Sequence, residues 1–415
     1  MSPSRDRVRI AFFDAYALSA GAGIALRDIV ERLDRDRFDP IALLPRDGPL
    51  VEMLREIDCP VEVAEAPPPL GSYDRRLRDA GAWQKAWLLF AMLRYSDTVA
   101  RWLRSHHVDL LHCNQTRAAF TAGPGARIAR IPTVWNVRIR EQLPRVVVRT
   151  ADACSDLIIP LTDCDFEGLP DGERLLRKSV VIRNAVDTER FSPGRDGAET
   201  RGQLEAGESP VILSAGVLVS RKGFDLLIRA TARVVQAVPP AKLLIAGAEL
   251  RASGDCRSGL EALIADLGLR DSVALLGHRE DMPDLLAACD LFALASRQEG
   301  DPAVVLEAMA MGRPVVATRP AAAAVRDGET GLMVPGEDVQ ALADAILRLL
   351  RHPAEARRMG RNARRIVEAY LGAGGTHIDT ADVYAGGRSE EIVGEALAGR
   401  REGVVLATKV RQRSG

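Results

Sequence analysis

Neither sign of charge is in surplus: 56 basic residues stand against 57 acidic ones in a chain of 415. Proteins that neutralise a phosphate backbone carry a basic excess, so no nucleic-acid partner is expected. No run reaches the ~18 apolar residues that a bilayer-spanning helix needs. The longest are short: Val211–Val219, and Ala86–Leu93, fenced by Lys85 and Arg94. The six cysteines (Cys59, Cys113, Cys154, Cys164, Cys256, Cys289) form no C-x-x-C pair and no Cys/His group. That argues against a zinc site and for reduced thiols in a cytoplasmic protein. Lysine is scarce too. Only Lys85, Lys178, Lys222, Lys242 and Lys409 accompany the arginines, so each lysine stands out.

Apolar residues make up 47% and charged residues 27%, a globular balance that excludes disorder or a fibrous repeat as a description of the whole. Arg5, Arg7 and Arg9 before an apolar stretch imitate a secretion signal, but Asp14 interrupts the stretch and no cleavage site follows. A first strand, Val8–Phe13, is the better reading. Further strands are expected at Asp39–Leu44, Val61–Ala64, Leu110–Cys113, Thr133–Val137, Leu157–Leu161 and Val180–Arg183, with helical patterns at Ala25–Leu33, Ala80–Arg104 and Arg117–Ala129 between them. After a Gly/Pro-rich stretch without periodicity, the alternation restarts at Val211–Ala215, Lys242–Ala246, Val273–Leu276, Leu291–Ala295 and Pro314–Ala317. Strand–helix alternation of this kind implies parallel sheets covered on both faces. The expected organisation is a domain over residues 1–193, a linker over 194–209, a second domain over 210–370 and a tail over 371–415.

Four segments could carry chemistry. Ser19-Ala-Gly21-Ala-Gly23 lies between the first strand and a helix expected from Ile24; glycine there permits positive φ and close approach of a ligand to backbone N–H groups. A dinucleotide fingerprint would need a third glycine where Leu26 stands. Gly216-Val-Leu-Val-Ser-Arg221-Lys222-Gly223 follows a strand directly, and Lys222 there can reach a phosphate as a mobile point charge, although the P-loop pattern is absent. In Glu299-Gly300-Asp301-Pro302-Ala-Val-Val-Leu-Glu307, Asp301 and Pro302 read as N-cap and first residue of a helix. Pro302 to Glu307 then spans roughly 8 Å. Two carboxylates so spaced cannot share a proton. They can hold two hydroxyl pairs along an extended ligand, or serve as the pair of an inverting glycosidase. Gly312-Arg-Pro-Val-Val-Ala-Thr318 and Asp327-Gly-Glu-Thr-Gly331 read as strand and turn scaffolding.

Taken together and in order, these segments resemble the retaining family 4 glycosyltransferases of the GT-B fold. Asn184-Ala-Val-Asp187-Thr-Glu-Arg-Phe191 is similar to that family's segment before the linker, and the resemblance runs from about Val8 to Tyr370. It implies an α/β protein of two Rossmann-like domains facing a cleft. It further implies transfer of a sugar, with retention of configuration, from a UDP- or GDP-sugar to a glycan, lipid or small-molecule acceptor, without a metal ion or other cofactor. Glu307 would bind the ribose and Glu299 the donor-sugar hydroxyls. Lys222 and Arg221 would meet the diphosphate, Gly300 and Asp301 would lead the helix to the donor, and Gly21 and Gly23 would line the cleft from the first domain.

Three positions depart from the family. Asn136, in Trp135-Asn-Val-Arg138, stands where a histidine that contacts the donor sugar is common. Val217 follows Gly216 where an arginine is usual, and Arg319–Val325 replaces a longer glutamate-bearing loop. A nucleotide-sugar-binding protein without turnover is therefore the alternative to an active enzyme. The basic stretch Arg138, Arg140, Arg145 and Arg149 raises the expectation of peripheral contact with an inner membrane face, beside that of a solvated surface.

The tail reads differently. Thr376-His-Ile-Asp379-Thr-Ala-Asp-Val-Tyr384, Arg388-Ser-Glu-Glu-Ile-Val-Gly-Glu-Ala-Leu397 and Val404-Val-Leu-Ala-Thr-Lys409 resemble the aldo-keto reductases. The resemblance implies Tyr384 as proton donor, with Asp379 and Lys409 tuning it, and an NADPH cofactor only if the tail functions. About 45 residues supply one strand-helix-strand unit of a barrel that needs about 250, so the tail is expected to be inactive, the product of a fusion.

Overall fold

The structure, a computed structural model, describes residues 7–18, 21–67, 82–138, 143–162, 166, 172–249, 256–372, 378–381 and 406–409. Contacts divide the chain into two units, the main body of one ending at Ile182 and the other beginning at Arg183.

The first unit runs β1 (Val8–Phe13), α1 (Gly21–Glu31), β2 (Phe38–Leu44), α2 (Pro49–Arg55), β3 (Val61–Val63), α3 (Ala82–Ser105), β4 (Leu110–Asn114), α4 (Thr116–Ala129), β5 (Thr133–Val137), α5 (Arg145–Cys154), β6 (Leu157–Pro160) and α6 (Gly172–Leu176). The six strands form one parallel sheet in the order β3-β2-β1-β4-β5-β6. Ile10 and Phe12 pack with Leu26, Leu44 and Leu54 on one face, while Ala11 and Phe13 pack with Leu111, Cys113 and Trp135 on the other. With both faces covered, the strands read as unbroken apolar runs instead of alternating ones.

The second unit continues with α7 (Ala198–Gln203), β7 (Val211–Ala215), α8 (Phe224–Ala237), β8 (Lys242–Ala246), α9 (Cys256–Asp266), β9 (Val273–Gly277), α10 (Met282–Ala288), β10 (Leu291–Leu294), α11 (Ala303–Ala310), β11 (Val315–Thr318), β12 (Gly331–Val334), α12 (Val339–Arg351) and α13 (Pro353–Gly372). Its parallel sheet is ordered β12-β11-β10-β7-β8-β9. α8 buries the stripe Phe224, Leu227, Ile228, Thr231 and Val234. α12 does the same with Leu342, Ala343, Ile346 and Leu349, started by Asp338, whose Oδ1 accepts the Ala341 N–H at 2.9 Å.

Several expectations need correction. Val180–Arg183 is not a strand. Val180 and Ile182 donate to the carbonyls of Ile158 and Pro160, but Pro160 has no N–H to return a bond, and only the single bridge Ile158–Ser179 forms. The linker is not wholly irregular, since it holds α7. The turn after Asp327 leads into a strand that periodicity missed: β12 is four residues long and pairs only with β11 among the described residues. The helix after β1 starts at Gly21, so Gly21 and Gly23 lie in its first turn and neither has positive φ. Gly23 is required by space instead, because a Cβ there would sit 2.0 Å from the Leu18 carbonyl oxygen.

In the tail, β13 (Ile378–Ala381) and β14 (Leu406–Lys409) pair in parallel, Asp379 opposite Ala407 and Ala381 opposite Lys409. Tyr384 and the expected helix near 388–397 lie outside the described residues, as does Cys164. The other five cysteines are unbridged, and four of them are buried. Among the described residues no helix is long and apolar enough to cross a membrane.

Candidate functional site

Each sheet reverses its strand order at its own first strand: β1 lies between β2 and β4, and β7 between β8 and β10. Loops leaving such neighbours diverge and open a crevice at the strands' carboxyl ends, where open α/β sheets take their ligands.

In the second unit the crevice lies between the loops after β7 and β10. Beyond Ala215, Gly216 turns with φ 151°, and a 3₁₀ turn over Ser220–Lys222 presents Lys222. Gly223, left-handed at φ 65°, then opens α8; a Cβ on it would sit 2.0 Å from the Ala295 carbonyl oxygen, so glycine alone lets this turn lie against the β10 loop. From that loop Glu299 reaches back. Lys222 Nζ is 2.5 Å from Glu299 Oε1, and an Arg221 guanidinium nitrogen is 3.5 Å from Oε2. Ser296 Oγ donates to the same Oε1 at 2.8 Å, and Thr318 Oγ1, at the end of β11, donates to the Ser296 carbonyl at 2.6 Å. The Lys222 and Glu299 side chains are buried. Burial lowers the pKa of the Lys222 ammonium from its ordinary value, opposed by the adjacent Glu299 carboxylate. Arg297 locks the frame: both its terminal nitrogens donate to the Asp225 carboxylate at 2.8 Å, and its Nε lies 2.6 Å from Glu337.

Asp301 is not the N-cap of the following helix. Pro302 holds that place, and α11 starts at Ala303. The buried Asp301 carboxylate accepts the Asn184 backbone N–H at 3.1 Å, and its carbonyl accepts the Asn184 side-chain amide at 2.6 Å. Asp301 therefore ties the segment that opens the second unit to the base of α11. Gly300 lies between Glu299 and Asp301, and Glu307 sits half-buried in α11.

The first unit holds its own polar group at the corresponding place. Asp14, directly after β1 and buried, accepts the N–H groups of Tyr16 and Ala17 through Oδ1, at 2.8 and 3.1 Å. Its Oδ2 accepts the side-chain amides of Asn114 at 2.8 Å and Gln115 at 3.2 Å. Asn114 also donates to the Ala22 carbonyl in the first turn of α1 and accepts from Arg138 Nε at 3.1 Å. Burial raises the Asp14 pKa, its hydrogen bonds holding it back, and lowers that of Arg138 to about 10. Asn136 pairs in register with Asn114, and its buried Oδ1 has no hydrogen-bond partner among the described residues.

Glu299, Lys222 and Arg221 therefore converge, with Gly300 and Asp301 next to them and Glu307 further along the same segment. Gly21, Gly23 and Asn136 belong to the first unit. Sequence reading missed Asp14, noted only as a break in an apolar stretch, and with it Asn114. It also missed Ser296, a hydroxyl that no motif distinguishes, and the role of Thr318, which reads only as the end of strand scaffolding. No group of three His, Cys, Asp or Glu side chains suited to a metal ion occurs among the described residues.

Residues 20–180 match the family "Glycosyl transferase 4-like domain", and residues 197–366 match "Glycosyl transferases group 1". The chain carries both glycosyltransferase domains. Residues 356–415 match the "Aldo/keto reductase family", a match that begins inside α13. The chain is 38% identical to a GDP-mannose-dependent alpha-(1-6)-phosphatidylinositol monomannoside mannosyltransferase of Mycolicibacterium smegmatis, over 42% of this chain and 48% of that one. It is 28% identical to an alpha-D-kanosaminyltransferase of Streptomyces kanamyceticus, over 73% and 83%. The chain spans about half the length of the mannosyltransferase relatives it matches. The solved structure of Anabaena Alr3699/HepE in complex with UDP and glucose is similar with a TM-score of 0.74 and 25% identity, covering 95% of this chain and all of that one. The two parallel sheets are those of the GT-B fold.

Proposed function

We propose that this glycosyltransferase moves a hexose from a UDP- or GDP-sugar to a glycan, lipid or small-molecule acceptor, with retention and without a metal ion. The observation that carries this reading is the Lys222–Glu299 pair at the switch point of the second sheet, with Arg221 beside it. Breaking the bond between the anomeric carbon and the diphosphate puts negative charge on the leaving oxygen. A buried ammonium and a neighbouring guanidinium, already fixed in place, offset that charge where it develops. On this reading Glu299 accepts the donor-sugar hydroxyls and Glu307 the ribose hydroxyls. The acceptor hydroxyl then bonds to the anomeric carbon on the face from which the diphosphate departs, its proton passing to the departing phosphate oxygen, and configuration is retained.

One relative is named for GDP-mannose and the similar solved structure holds UDP and glucose, so the nucleotide is left to experiment. A thermal-shift panel of UDP, GDP, ADP and NADPH on the full chain and on Glu307→Ala decides it. Stabilisation by UDP or GDP that vanishes in the variant supports the reading and names the nucleotide. Stabilisation by NADPH alone overturns it in favour of the tail. Turnover of the matching sugar nucleotide, with and without EDTA, separates an enzyme from a binding protein in which Asn136 has cost activity, and tests metal independence. The anomeric configuration of the product, read by NMR, tests retention.

A further inference from the structure

α3 is 24 residues long, far longer than the strands it covers. Its carboxyl end is held at the amino edge of the first sheet, where Arg9 of β1 donates to the His106 carbonyl at 2.9 Å. Tyr95, past the helix midpoint, donates through its hydroxyl to the carbonyl of Ala64, one residue beyond the carboxyl end of β3, at 2.9 Å. The stretch from Ala82 to Tyr95 therefore extends about 20 Å beyond the level of the β3 end. Burial follows this geometry. Ala91, Tyr95, Val99, Ala100 and Leu103 are buried, whereas Trp83 is 88%, Trp87 51%, Phe90 56% and Leu93 59% exposed.

The exposed residues are ordered. Trp83, Trp87, Phe90 and Arg94 follow i, i+4, i+7 and i+11, one stripe of a helix, flanked by Leu89 and Leu93. Arg94 lies over the Phe90 ring at 5.9 Å. Further along, the same outward face turns charged: Asp97, Arg101 and Arg104 are all exposed. Only the overhanging part is apolar. Two of the chain's four tryptophans are on it, the residue type that sits best at a membrane–water boundary. From Ala82 to Ser96 the helix sequence carries Lys85 and Arg94 and no acidic residue.

We propose that the first three turns of α3, with Trp83, Trp87, Leu89, Phe90 and Leu93 outward, lie in the headgroup layer of an anionic lipid bilayer. An interfacial helix gains from burying aromatic and aliphatic side chains at the acyl boundary, and from attraction of cationic residues to acidic lipids. The overhang also lies at the carboxyl edge of its sheet, the edge that carries Asp14, Asn114 and Asn136, so a bilayer held there would bring lipid to the side where this unit takes ligands. The inference does not rest on the transferase reading, because the surface is defined without any donor.

The test is co-sedimentation of the full chain with vesicles of phosphatidylcholine alone and with phosphatidylglycerol added, alongside tryptophan emission. The expected result is partition onto the phosphatidylglycerol vesicles with a blue shift. Trp87→Glu combined with Phe90→Ser should lower partition about tenfold or more, with an unchanged melting curve. If that pair lowers the melting temperature, Trp83→Ser, at the most exposed position, must show the same direction of loss. Absence of vesicle binding, equal binding by the variants, or equal binding to neutral vesicles overturns the proposal. So does a dimer in sedimentation velocity that the variants abolish when no vesicle binding is seen. None of these outcomes requires catalysis, so failure here leaves the donor site standing, and a failed nucleotide panel leaves this surface standing.

Discussion

The two sheets place a polar group at the same topological position, yet the groups differ in kind. At the second switch point, Lys222 and Glu299 form a buried ion pair between two loops. At the first, Asp14 is consumed by four N–H donors from its own turn and from the end of β4, and Asn114 passes the network to α1 and Arg138. On the proposed reading the Lys222–Glu299 pair meets charge that appears during transfer, whereas the Asp14 group fixes the loops around it. Fold-level position alone therefore does not say which polar cluster is chemical. Partners do.

The sharpest way to break this comparison is to remove one member from each side. Lys222→Met leaves Glu299 bonded to Arg221 and Ser296, so the fold should hold and the melting temperature should move little. Turnover should fall about 10²–10³-fold, the usual loss when one group that stabilises transition-state charge is deleted. Asp14→Ala should do the reverse. It strips the acceptor from two backbone N–H groups, the buried Asn114 amide and the half-buried Gln115 amide, with an expected loss of about 2–4 kcal/mol in denaturant unfolding and a smaller effect on turnover per folded molecule. Equal stability losses in the two variants would erase the distinction.

Legibility in the sequence follows the same division. Lys222, Glu299, Glu307 and the glycines around them stand in spaced motifs that the sequence displays directly. Most strand positions are equally readable, since a sheet covered on both faces writes unbroken Val/Ile/Leu runs, the exceptions being Val180–Arg183 and β12. Asp14 is not, because one acid after an apolar run looks the same whether it is solvated or holds four hydrogen bonds. Ser296 and Thr318 acquire their roles only when β10 and β11 lie side by side. Asp301 reads as a cap in the sequence for the same reason: its partner in the structure, Asn184, is more than a hundred residues away in the chain.

pH sharpens the comparison further. Near the first switch point, His112 packs on Phe12 at 5.2 Å, its Nε2 is buried, and burial drives its pKa down to about 3. An unfolded histidine binds a proton below about 6.5, so between that pH and 3 the unfolded state holds the extra proton and stability falls as pH falls, by about 1.4 kcal/mol per pH unit. His112→Leu should flatten that slope in acid titrations of the unfolding free energy. The Lys222 ammonium is shifted the same way, but there the consequence is functional. Nucleotide affinity should decline with rising pH earlier than an ordinary lysine would cause, and Lys222→Arg should move that decline upward.

The smallest effect is expected at the boundary between the glycosyltransferase domains and the tail. α13 ends at Gly372, and its residues Met359, Ala363 and Val367 are buried in the cores of the second unit. Beyond it, among the described residues, β13 pairs only with β14, and neither strand joins a six-stranded sheet. A two-stranded parallel ribbon buries too little to stabilise a neighbour. Ending the chain after Gly372 should therefore leave the nucleotide-induced thermal shift unchanged. Ending it before Met359 should lower the melting temperature, because that cut takes core side chains with it. A chain cut after Gly372 that folds but no longer responds to UDP or GDP would show that the reductase-like tail had become part of the donor site. The division between these two regions would then have to be redrawn.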